Sequence, residues 1–205
     1  MGVKERKALE KQIRRDQILD AARTLLFSSG LESISISRIS KQSELGVGTI
    51  YFYYKNKEEI FVALQKEGVA LLYSIIFQIS KKDIDHGEKL IRIAKAYYKF
   101  SQEQKHYFDI INYFLSSPIV FFEPDLKNQI DMSGRKILVL IKDIVDEGIQ
   151  KGVFNEKDPK KFSIMFWGTL HGLIHFKKLE KTILEKESHE KLFDYSVQKL
   201  IHSIK

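Results

Sequence analysis

Residues 47–57 combine side-chain types whose chemistry suits the recognition of a nucleic acid. Thr49 can hydrogen-bond to a base edge or offer its methyl group to thymine, and Gly48 allows a close backbone approach. Tyr51 and Lys57 can bind phosphate groups, and Lys57 is placed for this at a predicted helix N-terminus. The complete set of predicted DNA-binding residues is Ser37, Arg38, Val47, Gly48, Thr49, Tyr51, Phe52, Tyr53 and Lys57.

Two short helices and the start of a third are required to position this surface. Ser35 is a predicted N-cap residue for the first helix, and the second is predicted at about residues 46–53. Asn56, followed three positions later by Glu59, fits a capping box that begins a longer helix. Apolar residues that hold the two short helices together are Ile36, Ile39, Leu45 and Ile50. This pattern predicts a helix-turn-helix.

Consecutive aromatic residues at positions 51–53 cannot all be buried by so short a helix, whereas Tyr54 is expected in the core. Phe52 has no polar group, and two interpretations remain for it. It contacts thymine methyl groups, or it lies against the first helix of the chain.

An amphipathic helix is predicted from about Asp16 to Ser28, followed by a glycine C-terminus at Gly30. Its apolar residues recur every three or four positions at Ile18, Ala21, Ala22, Leu25 and Leu26. We expect this helix to support the helix-turn-helix from behind. Residues 1–12 are strongly basic and have two interpretations: a flexible arm that adds phosphate or minor-groove contacts, or a frayed helical extension without consequence.

The segments Gly48–Tyr51 and Lys57–Phe61, with Tyr54 between them, resemble the signature of the TetR family of bacterial transcriptional regulators. The resemblance implies an all-α fold, with a three-helix DNA-binding head at residues 1–56. It also implies a larger helical domain for ligand binding and dimerisation at residues 57–205. Two departures stand out: Glu44 replaces the usual turn glycine, and Gly46-Val47 replaces a frequent Ser-Lys pair. They predict a differently shaped turn and one missing phosphate contact.

The composition favours a helical chain with a real core. The chain has 205 residues, 43% of them hydrophobic, no cysteine and only three prolines. We found no apolar run near the ~20 residues of a membrane span and no signal-peptide pattern, so a cytoplasmic protein is expected. Residues 1–57 contain eleven Lys or Arg and six Asp or Glu, which places +5 of the total +7 charge near the helix-turn-helix. A polyanionic partner, or simply a solvated basic face, accounts for this bias.

The remainder is predicted as helices at about residues 57–80, 88–104, 107–115, 126–150, 159–180 and 189–204. The apolar run at residues 119–122, between Pro118 and Pro124, is either a lid over a cavity or, as we favour, a satellite of the core. Aromatic and polar side chains that would meet inside this half suit an apolar or amphipathic effector, although a solid core has the same composition. The predicted ligand-pocket residues are Tyr97, Phe100, Phe108, Phe114, Trp167 and His171.

The predicted helix at residues 159–180 is apolar on nearly all sides, so one chain of this size can hardly cover it. With the last helix it is expected to form half of a four-helix homodimer interface, as the TetR resemblance also implies. The predicted interface residues are Gly172, His175, Phe176, Tyr195 and Gln198.

Other chemistry lacks a supporting pattern. His171 and His175 have the spacing of paired metal ligands, but neither a cysteine nor a metalloprotease glutamate accompanies them, so packing is favoured over metal. We found no catalytic constellation and expect no enzyme, cofactor or membrane partner. The favoured interpretation is a ligand-responsive repressor that reads a near-palindromic operator in double-stranded DNA and is released by a small effector. The alternative is a helical sensor or interaction protein with only non-specific DNA affinity.

Overall fold

The computed structural model describes residues 2–116, 124–184 and 187–205, and this part of the chain is helical without a strand. The prediction of an all-α fold is therefore confirmed. The predicted lid or core satellite at residues 119–122 lies outside the described residues. The α-helices are α1 (Val3–Ser29), α2 (Ile36–Ser43), α3 (Val47–Tyr53), α4 (Lys57–Ser80), α5 (His86–Glu103), α6 (Lys105–Ser116), α7 (Pro124–Gln150), α8 (Pro159–Phe176) and α9 (His189–His202).

The helices divide into two compact units. Unit 1 comprises Met1–Val69 and His106–Asp131, and unit 2 comprises Ala70–Lys105 and Met132–Lys205. Helices α4 and α7 each contribute residues to both units.

Unit 1 is built around α1, α2 and α3, with α4 and α6 completing its core. The predicted apolar face of α1 is buried as expected, and Ile39 of α2 and Ile50 of α3 are fully enclosed. The helix itself is longer than predicted, because it begins at Val3 and continues without a break through the expected start at Asp16. The flexible-arm interpretation of residues 1–12 is therefore wrong as to structure, since residues 3–12 are helical.

The ends of α2 and α4 follow the predicted capping chemistry. The Ser35 hydroxyl accepts a hydrogen bond from the Arg38 amide at 3.2 Å, and Oδ1 of Asn56 accepts one from the Glu59 amide at 2.9 Å. Oε2 of Glu59 accepts from the Lys55 amide at 2.9 Å, one residue before the cap. Each bond satisfies a backbone donor that has no partner within its helix.

The turn between α2 and α3 takes a left-handed residue at Glu44, with φ 56° and ψ 30°. This is the conformation that glycine adopts most readily. The expectation of a differently shaped turn is therefore wrong, because Glu44 adopts a glycine-like conformation despite its side chain.

Helix α4 passes close to α6 at Gly68. A Cβ atom at this position would lie 3.0 Å from both Cβ and Cδ1 of Tyr107. The glycine is thus a point of close packing between the two helices. By length and composition α4 is also the one described helix that could cross a membrane, with half of its apolar window buried. A buried core helix meets the same criteria.

Unit 2 packs α5, α8 and α9 against the second half of α7. Asp158 caps α8 through the Lys161 amide at 2.9 Å, and Pro159 occupies its first turn. The α-helix ends at Phe176 rather than near residue 180, and two short irregular turns, Lys177–Leu179 and Glu180–Leu184, follow it. The fully buried side chains of this unit include Leu90, Ile93, Tyr97, Ile141, Phe166 and Leu170.

Candidate nucleic-acid interface and effector site

The first turn of α2 presents two of the predicted DNA-binding residues to solvent. Ser37 and Arg38 are exposed, while Ile39 beside them is fully buried in unit 1. Nη1 of Arg38 donates to the Ser33 carbonyl oxygen at 3.1 Å. This bond holds the guanidinium group near the start of α2. The cap at Ser35 thus sets which residues of α2 point outward.

Helix α3 carries the most exposed part of the surface. Its single fully buried residue is Ile50, which anchors the helix to unit 1. Val47 and Gly48 are exposed, and Thr49 and Tyr53 are half-buried. Tyr51 is 51% exposed and Phe52 is 78% exposed, which is unusual for large aromatic side chains.

The position of Phe52 decides between its two sequence-based interpretations. Its ring meets the Tyr53 ring edge-to-face, with centroids 5.0 Å apart, and otherwise extends into solvent. A side chain that lay against α1 would be largely covered. The packing interpretation is therefore wrong, and contact with thymine methyl groups stays a prediction.

Contacts of Tyr54 and Arg15 connect the end of α3 to α1. Tyr54 is buried, as predicted, and the Arg15 guanidinium lies 4.1 Å from its ring centroid. Nη1 of Arg15 donates to the Tyr53 carbonyl oxygen at 2.5 Å, and burial raises the pKa of Tyr54. Sequence reasoning missed this role for Arg15, because a cation near a basic segment gives no sign of a partner 38 residues away.

Lys57 is the first residue of α4 and is half-buried. Its Nζ lies 5.1 Å from the centroid of the Phe61 ring one turn later, within the range of a cation–π interaction. The aliphatic part of the side chain therefore packs along the helix, and the ammonium group remains beside the helix N-terminus, where an anion is favoured.

In unit 2, four of the six predicted ligand-pocket residues lie on α5 and α8. Tyr97 and Phe100 are buried, and Trp167 and His171 are half-buried. The ring centroids of Tyr97 and Trp167 are 4.3 Å apart with the ring planes tilted by 32°, so these two side chains are in direct contact. Phe108 and Phe114 are buried in unit 1, where Phe114 belongs to the same core as the helix-turn-helix.

The polar atoms of this cluster are connected. The Tyr97 hydroxyl lies 2.8 Å from Nδ1 of His171, and Nε2 of His171 lies 3.3 Å from Nε2 of His175. Burial, with the neighbouring His175 as a second cause, lowers the pKa of His171 to about 4. His171 is therefore neutral near pH 7. Among the described residues no third His, Cys, Asp or Glu joins the pair to form a metal site.

Three surface grooves in the described part of unit 2 have volumes of about 410, 330 and 370 Å³. Their walls come from other side chains than the six predicted pocket residues. The second groove lies between α7 and α8 and combines apolar Leu138, Val139 and Ile164 with basic Arg135 and Lys160.

Within the described residues, one side of α8 and α9 is left uncovered. Phe162, Phe166 and Leu170 bury the inner side of α8, while Phe176 is 51% exposed. On α9, Tyr195 is 61% exposed. Gln198 is also exposed, and Gly172 and His175 are half-buried. The predicted interface residues thus include two large aromatic side chains in solvent, an arrangement typical of a surface that a second subunit covers.

Comparison with known proteins gives two family matches. Residues 18–64 match the family described as bacterial regulatory proteins, tetR family, and residues 90–200 match the tetracyclin repressor-like C-terminal domain. Among curated relatives, the fatty acid metabolism regulator protein of Bacillus subtilis (strain 168) is 27% identical over 155 residues. The match covers 75% of this chain and 78% of that protein.

Solved structures show the same fold. The fatty acid degradation regulator FadR from Bacillus halodurans superposes with a TM-score of 0.67 at 25% identity, over 92% of this chain and 94% of that one. FadR from Bacillus subtilis, solved in complex with stearoyl-CoA, gives a TM-score of 0.70 at 24% identity. That superposition covers 93% of this chain and 100% of the other.

Proposed function

This chain belongs to the tetR family of bacterial regulatory proteins, and we propose that it is a homodimeric repressor that a fatty acyl-CoA releases from operator DNA. The observation that carries the proposal is the outward face of α3, where Val47, Tyr51 and Phe52 are exposed beside Gly48. A helix that leaves these side chains in water gains little stability from them, whereas a major groove would cover them.

We assign DNA recognition to residues 1–56 and effector binding with dimerisation to residues 57–205. Within the first segment, Thr49 reads a base edge and Gly48 allows α3 to approach the groove. The phosphate contacts come from Ser37, Arg38, Tyr51 and Lys57, whose side chains all reach solvent at least in part. The exposed ring of Phe52 contacts the methyl groups of thymine.

The proposed effector class rests on the name of the Bacillus subtilis relative, on the stearoyl-CoA bound in the Bacillus subtilis FadR structure, and on the aromatic cluster of unit 2. Tyr97 and Phe100 are enclosed and Trp167 is half-buried, so α5 and α8 must separate before an acyl chain can contact their apolar area. Neutral His171 and the Tyr97 hydroxyl provide hydrogen bonds for a thioester carbonyl group without the cost of burying a charge. Free CoA, which has no acyl chain, would lack the apolar contribution.

Dimerisation is assigned to the uncovered side of α8 and α9, where Phe176 and Tyr195 are exposed. Two copies would present two α3 helices to the two halves of a near-palindromic operator. The effector and DNA oppose each other by linkage, because the dimer conformation that binds one has lower affinity for the other. We place this regulator in the cytoplasm, where bacterial DNA lies, and assign it no enzymatic activity.

The test is a mobility-shift titration with a duplex selected by the protein from a random-sequence library. We expect a discrete complex of two chains, released by palmitoyl-CoA but not by free CoA. Release by neither compound would reject the effector class while leaving DNA recognition intact. The competing function, a helical protein with only non-specific DNA affinity, predicts equal affinity for selected and scrambled duplexes at the same salt concentration.

A further inference from the structure

The first helix extends well beyond the core that it supports. Residues 2–14, which we call the extension, are exposed, and the first buried residue of α1 is Ile18. From Lys4 to Arg14 the helix rises about 15 Å, at the usual 1.5 Å per residue. A helix of this length with no apolar burial contributes little to the core of unit 1.

Four cations follow one line along this extension. Lys4, Lys7, Lys11 and Arg14 are separated by three, four and three residues, the spacing of a single helix face. We call them the basic stripe. The same spacing continues into Ile18, Ala21 and Leu25, which are buried in unit 1. The basic stripe therefore faces the side on which α1 packs against α2 and α3.

Of the two acidic residues of the extension, Glu5 lies off this line, whereas Glu10 stands three residues after Lys7 and four before Arg14 but pairs with Arg6. Oε2 of Glu5 accepts from the Gly2 amide at 2.8 Å, and Glu10 lies 3.9 Å from Arg6. Within the described part of the chain, none of the four stripe residues forms an ion pair with a carboxylate. Arg14 donates to the neutral side chain of Gln17 at 2.7 Å. The positive charge of the basic stripe is thus not cancelled locally.

The orientation of the extension is fixed at its base. Arg15 binds the Tyr53 carbonyl oxygen at the end of α3, and Nε2 of Gln17 donates to the Ser43 carbonyl oxygen at the end of α2, at 2.9 Å. Both helices of the helix-turn-helix are therefore tied to α1 directly beside the basic stripe. A partner bound at α3 would therefore lie next to the positively charged extension of α1.

We propose that the basic stripe is a second DNA-binding element, which lies along the sugar-phosphate backbone beside the bases that α3 reads. The inference rests on the proposed DNA-binding function and extends it beyond the helix-turn-helix. DNA advances 3.4 Å per phosphate along each strand, so a stripe of about 15 Å spans about four phosphates. The element increases affinity for every sequence equally, because phosphates carry no base identity.

An anionic membrane is the competing partner for a basic helix. A helix that lies on a bilayer inserts an apolar face that its cations flank. Here the exposed apolar residues Leu9 and Ile13 lie on the opposite side of α1 from the basic stripe, judged from their spacing to Lys4 and Lys11. The basic stripe and the exposed apolar residues cannot contact the same bilayer surface at once, so the arrangement favours DNA as the partner.

The test compares a stripe variant, Lys4→Gln with Lys7→Gln, Lys11→Gln and Arg14→Gln, with a control that removes the same charge from unit 2. The control is Lys82→Gln with Lys151→Gln, Lys157→Gln and Lys181→Gln, all at exposed positions. Affinity for the selected duplex is measured across a salt series. We expect the stripe variant to lower the slope of log affinity against log salt by about 7 for the complex of two chains, because each chain loses four phosphate contacts at about 0.9 each. Its affinity should fall on the order of 10- to 100-fold for selected and scrambled duplexes alike.

Shortening the duplex provides a second measurement. Removal of the flanking base pairs should weaken the wild type to the level of the stripe variant and leave the stripe variant unaffected. Equal salt slopes for wild type and stripe variant would overturn the inference, as would an equal loss in the unit 2 control. Loss of binding to phosphatidylglycerol vesicles with unchanged DNA binding would assign the stripe to a membrane instead. If the wild type forms no discrete complex with any duplex, the proposed function falls together with this inference.

Discussion

Arg23 of α1 and Glu67 of α4 form a two-bond ion pair within unit 1. Nε of Arg23 lies 2.9 Å from Oε2 of Glu67, and Nη2 lies 2.6 Å from Oε1. The Tyr107 hydroxyl donates to the same carboxylate at 3.0 Å, so α6 joins the network. The hydrogen bonds that Arg23 donates to Glu67 raise the pKa of Arg23, and desolvation lowers it. Bidentate geometry in a partly buried setting distinguishes this pair from ordinary surface ion pairs.

The first prediction concerns the energy of this pair. A double-mutant cycle with Arg23→Gln and Glu67→Gln should give a coupling free energy of about 1–2 kcal/mol in urea unfolding. The control cycle is Arg92→Gln with Glu88→Gln, an exposed pair one helix turn apart with 2.7 Å between Nε and Oε1. We expect at most about 0.5 kcal/mol there. Additive single effects at Arg23 and Glu67 would show that the close geometry has no energetic consequence.

A second prediction follows from the contact at Gly68. Gly68→Ala should destabilise the protein by about 1–3 kcal/mol, because the new methyl group meets the Tyr107 side chain at 3.0 Å. The matched control is Gly134→Ala in α7, where no atom lies within 4 Å of the added Cβ. That substitution should stabilise the protein by about 0.5–1 kcal/mol through helix propensity. Thermal unfolding distinguishes the two substitutions. Equal changes in melting temperature would mean that α6 moves to accommodate the new methyl group without loss of stability.

Glu44 gives a third prediction, because it is the one described non-glycine residue with positive φ. Glu44→Gly should stabilise the protein by about 0.5–1 kcal/mol, the difference between relief of left-handed strain and the greater freedom of glycine when unfolded. Glu44→Ala retains the Cβ atom and should have little effect. A destabilised glycine variant would indicate that the Glu44 side chain makes a favourable contribution that outweighs its backbone strain.

The fourth prediction is a pH dependence. The folded protein holds the pKa of His171 at about 4 against an ordinary value of 6.5, so between these values the unfolded chain binds more protons. Stability should therefore fall as the pH is lowered from about 6.5 to about 4. The uptake of one proton limits the change in the free energy of unfolding to about 1.4 kcal/mol per pH unit, and the change is smaller for a half-buried group.

His171→Asn should remove this contribution to the slope, as measured by urea unfolding at several pH values. Tyr97→Phe serves as the control, because it keeps the buried histidine and removes only the hydroxyl group 2.8 Å from Nδ1. Its stability should be lower at all pH values, with the slope retained. An unchanged slope in His171→Asn would assign the pH dependence to other groups.

The fifth prediction separates base recognition from phosphate contact. Lys57→Ala should weaken binding to all sequences alike and lower the salt slope by about 2 for the complex of two chains, because its ammonium group lies at a helix N-terminus. Thr49→Ala should instead change preference at one base position by about 1 kcal/mol. Both effects are measured by competition binding with a set of single-base variants of the selected duplex. Equal loss on matched and mismatched duplexes for Thr49→Ala would reject its role in base recognition.

Local sequence signals were sufficient for the helix-turn-helix. Ser35 and Asn56 cap helices through atoms three residues away, and such short-range chemistry can be read directly from the chain. The exposure of α3 was also predictable, because seven residues cannot bury three consecutive aromatic side chains. The start of α1 was not, since residues 3–14 form a helix without the apolar periodicity that was used to find it.

Contacts between distant residues were decided only by the tertiary structure. Arg15 meets Tyr53 across 38 positions, Arg23 meets Glu67 across 44, and Tyr97 meets His171 across 74. Each side chain has many possible partners, and the packing of whole helices selects one among them. The sequence by itself therefore determined the helices, their caps and the exposed reading surface, because these depend on neighbours along the chain. The tertiary structure alone decided which cations serve the fold and which remain available to DNA, because that depends on how α1 packs against α2 and α3.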